Sequence, residues 1–353
     1  MDTRKNLPPT PNFVHPLPAG ASSHIALTGT EPEAGMKVIQ DIITAAQKSL
    51  WIEMYLFDND KIAQMLLHKK AEHPDLDLRL LYHQPSLPDS LDPTRSHRFP
   101  HWVQPNRGIR TDGEPVAVHH AKFILADADV AGHARAYIMT ANFTAQALGG
   151  NHAGYANREY ILCDTNPDDI ALLKAIFLAD QAGHHLPTIP ATSNLVITDI
   201  NAITVLPVLL KSARHSIFIQ MEYLNDPPGN GSLNLKNILL HAASQGVNVQ
   251  VMLPPLTPAV PGAPSADNDE TYRTLTPKVA MNVTPQYFMH AKMIIIDKQL
   301  AFVGSQNLSH QSLRYSREVG ILISNKTIVA HLLATYEADW SYAQKAAKKH
   351  HLF

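Results

Sequence analysis

Two histidines of this chain stand in the same setting. His120 is followed by Lys122 and Asp127, and His290 by Lys292 and Asp297, so the pattern His-x-Lys-x4-Asp occurs twice. The chain has 20 histidines. With Lys and Asp each at about one residue in twenty, roughly 0.05 such matches are expected by chance. Downstream of each copy the same residue types follow in the same order. The first copy continues with Thr140, Asn142 and Glu159; the second with Gly304, Ser305, Asn307 and Glu318. The Asp-to-Asn interval is 15 residues in the first copy and 10 in the second, and the Asn-to-Glu interval 17 against 11. The extra residues fall in two loop-like stretches, 128–135 and 149–155.

These residue types suit chemistry at phosphorus. A neutral imidazole can attack a phosphodiester and form a covalent phosphohistidine, splitting one displacement into two. A second, protonated imidazole can donate to the departing alkoxide. An unperturbed pKa of about 6.5 fits histidine for both tasks. Lys122, Lys292, Asn142 and Asn307 can bind the non-bridging oxygens as charge builds on them. A carboxylate on the far ring nitrogen fixes each tautomer, and Glu159 and Glu318 are the candidates. The lysines supply the positive charge, so no cofactor or metal is called for. His97, His101, His133, His152 and His310 show no metal-ligand spacing. Alternation along a strand turns His119 away from a cavity that His120 faces.

The elements that must position these residues are also duplicated. Residues 48–54 (KSLWIEM) match 215–221 (HSIFIQM) at an offset of 167, and each follows an amphipathic helical pattern. That pattern runs through Val38, Ile39, Ile42, Ile43 and Ala46, and again through Ile203, Leu206, Leu209, Leu210 and Ala213. A second strand, Leu76-Leu78-Leu80-Tyr82, matches Val247-Val249-Val251-Leu253 at 171, beside 170 for the histidines. The apolar runs after each Lys read as buried strands carrying the motif. A duplicated α/β unit follows. The expected division is an N-terminal extension 1–23, a first repeat 24–186 and a second repeat 187–353, joined through the proline-containing stretch 183–193. Two proline-rich segments, 84–108 and 254–268, follow the matched strands and are candidates for walls of a shared site.

This motif pair resembles the phospholipase D superfamily, whose signature is a duplicated HKD motif. The likeness runs from about residue 24 to 340. It implies two α/β/α sandwich repeats about a pseudo-twofold axis, with one active site at their interface. It also implies His120 as nucleophile, His290 as acid, and Asp127 and Asp297 as structural. The second copy has the family's Gly304-Ser305; the first has Met139-Thr140, which would alter how closely the backbone approaches phosphate there.

Composition bounds the rest. Hydrophobic residues make up 45% and charged residues 17% of the 353, the profile of a globular chain. A net charge of −2 gives no global pull toward nucleic acid or anionic membrane. Cys163 is the single cysteine, excluding an intramolecular disulfide, and reads as a small buried apolar residue. No signal-peptide or membrane-spanning run is legible, so the expected location is cytoplasmic, with export through an unrecognised signal as the alternative. The leading expectation for substrate is a phospholipid head group, from the neutral charge and the apolar loop residues Leu87, Leu91, Phe99, Trp102, Leu256 and Val260. The basic tail (Lys345, Lys348, Lys349, His350, His351) could complement a helix dipole or touch a membrane surface. The alternatives are a single-strand nuclease, from Arg95, Arg98, Arg107 and Arg110 with Phe99 and Trp102 for stacking, and an inactive phosphate-binding scaffold.

Overall fold

The computed structural model describes residues 25–29, 35–83, 87–92, 100–149, 156–190, 193–225, 233–255, 266–284 and 287–350. The N-terminal extension, Arg95, Arg98, Phe99, His97, His152, Leu256, Val260 and His351 lie outside these. In chain order the first half contains β1 Ile25–Gly29, α1 Gly35–Ala45, β2 Ser49–Met54, α2 Asp60–Glu72, β3 Asp77–Tyr82 and β4 Val103–Pro105. It continues with β5 Val118–His119, β6 Phe123–Ala126, β7 Arg135–Met139, α3 Ala145–Leu148, β8 Asn157–Arg158, β9 Ile161–Asp164 and α4 Pro167–Ala182. The second half contains β10 Leu195–Ile197, α5 Ala202–Lys211, β11 Ser216–Met221, β12 Leu224–Asn225, α6 Leu235–Ser244, β13 Asn248–Leu253, α7 Asp269–Leu275 and β14 Ala280–Val283. Then come β15 Phe288–Met289, β16 Lys292–Ile296, β17 Leu300–Gly304, β18 Leu308–Ser309, α8 His310–Arg314, β19 Ser316–Arg317, β20 Val319–Ile323 and α9 Lys326–His350.

The two halves build the same sheet. The strand order is β1-β9-β7-β6-β2-β3-β4 in one and β10-β20-β17-β16-β11-β13-β14 in the other. In both, the fifth strand in this order runs parallel to its neighbour on one side and antiparallel on the other: β2 with β3 and β6, β11 with β13 and β16. The expected helices form because their apolar residues fall on one face. Ile39, Ile42 and Ile43 of α1 and Leu206, Leu209 and Leu210 of α5 are all buried.

Alternation along the strands sorts the core into layers. Leu78, Leu80 and Tyr82 of β3 pack with α1 and α2 on the outer face of the first sheet. Val249, Val251 and Leu253 of β13 pack likewise with α5 and α6. The inner faces share one core. Trp51, Phe123 and Ile138 of the first half and Phe218, Ile295 and Val303 of the second join α4 and α9 there. Each fully buried aliphatic side chain contributes about 1.5–3 kcal/mol, so this shared layer holds the halves in a fixed relation.

The first proline-rich segment departs from the expectation of apolar or base-stacking walls, whereas most of the second lies outside the described residues and its Asp267 lines the cavity beside His120. Leu91 and Trp102 are buried, and both pack with partly buried Leu87 in the first outer core. Burying the Trp102 ring outweighs leaving it in solvent. Cys163 is only half-buried, with its thiol pushed up to about 11 by that burial.

Candidate active site

Each motif histidine sits in the join between a two-residue strand and the main strand, just ahead of where the apolar run placed it: His120 between β5 and β6, His290 between β15 and β16. The short strands pair with the opposite half. Strand β5 runs parallel to β19, and β15 parallel to β8. The His120 amide donates to the Arg317 carbonyl at 2.9 Å, fixing the histidine to the other half.

The same ribbons deliver the carboxylates, crosswise. Glu318 follows β19, and its Oε2 lies 2.8 Å from His120 Nδ1. Glu159 follows β8, and its Oε1 lies 2.7 Å from His290 Nδ1, an ion-pair contact whose angle departs from a straight hydrogen bond. Each imidazole is thus held by the half it does not belong to. Glu159 is further fixed by Thr140 Oγ1 at 2.6 Å and Asn157 Nδ2 at 3.1 Å, and Glu318 by Ser312 Oγ at 2.6 Å. With Nδ1 engaged, Nε2 of each ring is left for chemistry.

The lysines are fully buried and bent back to their own motifs. Lys122 Nζ donates to the His120 carbonyl at 2.6 Å, and Lys292 Nζ to the His290 carbonyl at 2.7 Å. Asn142 and Asn307 are held equivalently: their Oδ1 atoms accept from the Leu56 amide at 3.4 Å and the Tyr223 amide at 3.0 Å. That leaves their amide nitrogens to donate into the site.

The motif aspartates lie away from this chemistry and close a turn. Asp127 accepts from the amides of Gln47, Lys48 and Ser49, and Asp297 from those of Arg214, His215 and Ser216. Their φ values are +51° and +52°, a left-handed backbone that Asp tolerates better than most residues. Gly304 serves packing. A Cβ there would come within 2.4 Å of the Gly320 Cα across the β17–β20 ladder. In the first half Met139 faces Ile161 at that register and fills the outer core. Ser305 Oγ accepts from the Val319 amide at 3.0 Å, as Thr140 Oγ1 does from Tyr160 at 2.8 Å. His119 turns away from the cavity toward Gly108 and is held down to about 3 by burial and the Arg317 charge.

Against known families, residues 39–181 and 206–340 each match the family described as "Cardiolipin synthase, PLD-like domain". The chain belongs to the phospholipase D superfamily. Among curated relatives of this superfamily, cardiolipin synthase 1 of Staphylococcus aureus (strain COL) is 27% identical over 143 residues, 40% of this chain and 27% of that one. Phospholipase D Y of Dictyostelium discoideum is 28% identical over 153 residues, 38% of this chain and 33% of that one. The match thus spans about a third or less of these relatives. Among solved structures, phosphatidylserine synthase of Haemophilus influenzae Rd KW20 superposes with a TM-score of 0.65 at 14% identity, covering 91% of this chain and 86% of that one. Polyphosphate kinase from Porphyromonas gingivalis gives 0.61 at 17% identity, covering 90% and 47%. At these identities the likeness is one of fold.

Two residues that the motifs do not contain lie against the same side chains. Glu222 Oε2 lies 2.6 Å from Lys292 Nζ, 3.2 Å from Asn307 Nδ2 and 3.5 Å from His290 Nε2. Tyr55 holds the equivalent place in the first half. Its ring centroid is 5.3 Å from Lys122 Nζ and 4.7 Å from the His120 ring. Both follow directly on the repeated segments 48–54 and 215–221, which was the signal available in the sequence.

The electrostatics of the two histidines differ. Burial, joined by the Lys122 and Lys292 charges, holds His120 well below its ordinary range, so it is neutral. Its partner Glu318 is pushed up to about 7, burial outweighing the Lys122 charge. The carboxylates around His290 behave oppositely. Despite their burial, Glu159 and Glu222 are held below the usual carboxylate range by the His290 and Lys292 charges. Burial and the neighbouring Lys292 bring Lys122 down to about 7.

Proposed function

We propose that this chain is a phosphodiesterase that cleaves or transfers phospholipid head groups through a phosphohistidine, with repeats 24–186 and 187–353 sharing one site. The observation that carries this reading is the crossed pairing, Glu318 with His120 and Glu159 with His290. It leaves one neutral imidazole and one imidazole among carboxylates beside two buried lysines. In the first step His120 Nε2 bonds to phosphorus, the bond from phosphorus to the leaving alcohol breaks, and His290 gives that oxygen its proton. In the second, water or another alcohol attacks phosphorus, passes its proton to His290 and releases neutral His120. Lys122, Lys292, Asn142 and Asn307 bind the non-bridging oxygens.

The cavity beside His120 favours a lipid head group over a nucleic acid. It measures about 360 Å³, and Asn225, Asp267, Ser309, Gln311 and Ser316 line it with Tyr223. Its lining has hydroxyls, carboxamides and carboxylates but no arginine or lysine among the described residues. A groove for a polyanionic strand needs cations along its length, whereas a hydroxyl- or amine-bearing alcohol is matched by these donors and acceptors. Of the groups that suggested a nuclease, Trp102 is packed in the core and Arg110 is engaged by Asp112 and the Tyr315 ring, whereas Arg107 is exposed and Arg95, Arg98 and Phe99 lie outside the described residues. The relatives named as cardiolipin synthase and phospholipase D support the same substrate class.

Among the described residues no helix is long and apolar enough to cross a membrane. Contact with lipid is proposed as peripheral, and Leu91 and Trp102 do not supply it because they are buried. The test is a panel of phospholipid vesicles and micelles beside single-stranded DNA and RNA. Head-group release or exchange from a phospholipid, lost in His120→Ala and His290→Ala, is expected. Cleavage of nucleic acid alone would overturn the reading.

A further inference from the structure

The second half of the site already contains an anion. One oxygen of Glu222 contacts the Lys292 ammonium, the Asn307 carboxamide and, at 3.5 Å, the reactive nitrogen of His290. On the reading above, those groups bind and protonate the oxygens of a substrate phosphate. Glu222 is buried, and the amide of Tyr223 beside it is anchored to Asn307, so the carboxylate is built into the site. The first half has no such charge, because Tyr55 brings a neutral ring to Lys122 and His120. A phosphate therefore meets an unequal cradle: open donors on one side, and on the other donors shared with a carboxylate.

We propose that Glu222 is a specificity-determining residue, admitting the single negative charge of a phosphodiester and rejecting the second charge of a phosphomonoester or free phosphate. The proposal rests on the phosphodiesterase reading. Lys292 and His290 lie against Glu159 and Glu222, both held below the usual carboxylate range, so this side of the site has little positive charge to spare. A diester adds one negative charge. A phosphomonoester loses its second proton near pH 6 and adds close to two, with one of its oxygens competing for the place Glu222 occupies. The consequence reaches product release. Hydrolysis converts a singly charged diester into a doubly charged monoester, which Glu222 repels. Transfer to another alcohol yields a second diester, which it does not. Glu222 thus speeds the exit of the hydrolytic product selectively.

The test compares ligands by titration calorimetry at pH 7.5. On the wild-type protein dimethyl phosphate is expected to bind more tightly than methyl phosphate, although it carries less charge. In Glu222→Gln, similar in size but uncharged, methyl phosphate and orthophosphate are expected to bind at least tenfold more tightly than in wild type, with dimethyl phosphate changed less than threefold. Glu222→Asp, which keeps the charge, should retain the wild-type order. Tighter binding of methyl phosphate by the wild type would overturn the proposal without any variant. So would a Gln variant in which all three ligands shift by the same factor. Failure of the wild type to turn over any diester would instead remove the phosphodiesterase reading, and the binding comparison would still score Glu222.

Discussion

Arg317 Nε lies 2.9 Å from Asp180 Oδ2, both side chains are fully buried, and the next residue in the chain is the carboxylate that holds His120. The other half repeats the arrangement. Arg158 Nη2 lies 2.7 Å from Asp339 Oδ1, and the next residue is Glu159 at His290. Each Arg-Glu dipeptide reaches across the interface twice, once to the long helix and once to the histidine of the opposite half. The geometry of the proposed site and the docking of the halves are therefore one structural unit.

Breaking that unit should cost both stability and rate. Arg317→Met leaves the Asp180 carboxylate buried without its cation, a change worth about 3–5 kcal/mol for a buried pair. Denaturant unfolding should show this loss. Arg317→Met combined with Asp180→Leu should recover most of the stability while leaving turnover depressed, because Glu318 loses its neighbouring anchor.

Removing an orienting charge should act on kcat rather than on folding. In Glu318→Gln the carboxamide can no longer fix the His120 tautomer, and a fall in kcat of about 10²–10⁴-fold is expected, as for other imidazoles deprived of their carboxylate. Circular dichroism should remain that of the wild type. A variant within threefold of wild-type kcat would contradict the role given to Glu318.

The motif aspartates should behave in the opposite way. Asp127 collects three backbone amides at a left-handed turn and touches no reacting group. Asp127→Ala forfeits charge-assisted hydrogen bonds worth about 1.5–3 kcal/mol each at most and strains the turn. Thermal unfolding should shift down by several degrees, with kcat of the folded fraction close to wild type.

The helix and strand pairs, the two motifs and the Asn and Glu partners were legible in the sequence because duplication writes them twice at nearly constant offsets. The crossing of Glu159 and Glu318 was not, since a linear offset does not say which half reaches which histidine. Trp102 and Leu91 misled for a related reason: an apolar residue in a proline-rich loop reads alike whether it folds onto a core or faces outward. Glu222 and Tyr55 escaped notice because they differ between copies, and a search for repeats discards what does not repeat.

The rate should depend on pH through Lys122. Burial and the nearby Lys292 charge bring its ammonium down to about 7, so in the free enzyme it loses its proton as the pH rises through neutrality. His120 is already neutral there, while Glu318, pushed up to about 7, loses its proton over the same range. kcat/KM for a diester is expected to fall by up to about tenfold per unit above pH 7. Bound phosphate favours the charged lysine, so the alkaline limb of kcat should lie at higher pH than that of kcat/KM. In Lys122→Arg, charged at every accessible pH, that limb should move to higher pH or vanish, whatever the absolute rate.

The central claim is that two half-sites make one reaction centre, and counting covalent adducts tests it most directly. The wild-type chain would be quenched during turnover of bis-p-nitrophenyl phosphate, and the phosphoryl label counted and mapped by mass spectrometry. At most one phosphohistidine per chain is expected, on His120, with turnover abolished in both His120→Ala and His290→Ala. Two adducts on one chain, or substantial turnover by either single-histidine variant, would mean that the halves work independently and would contradict that claim.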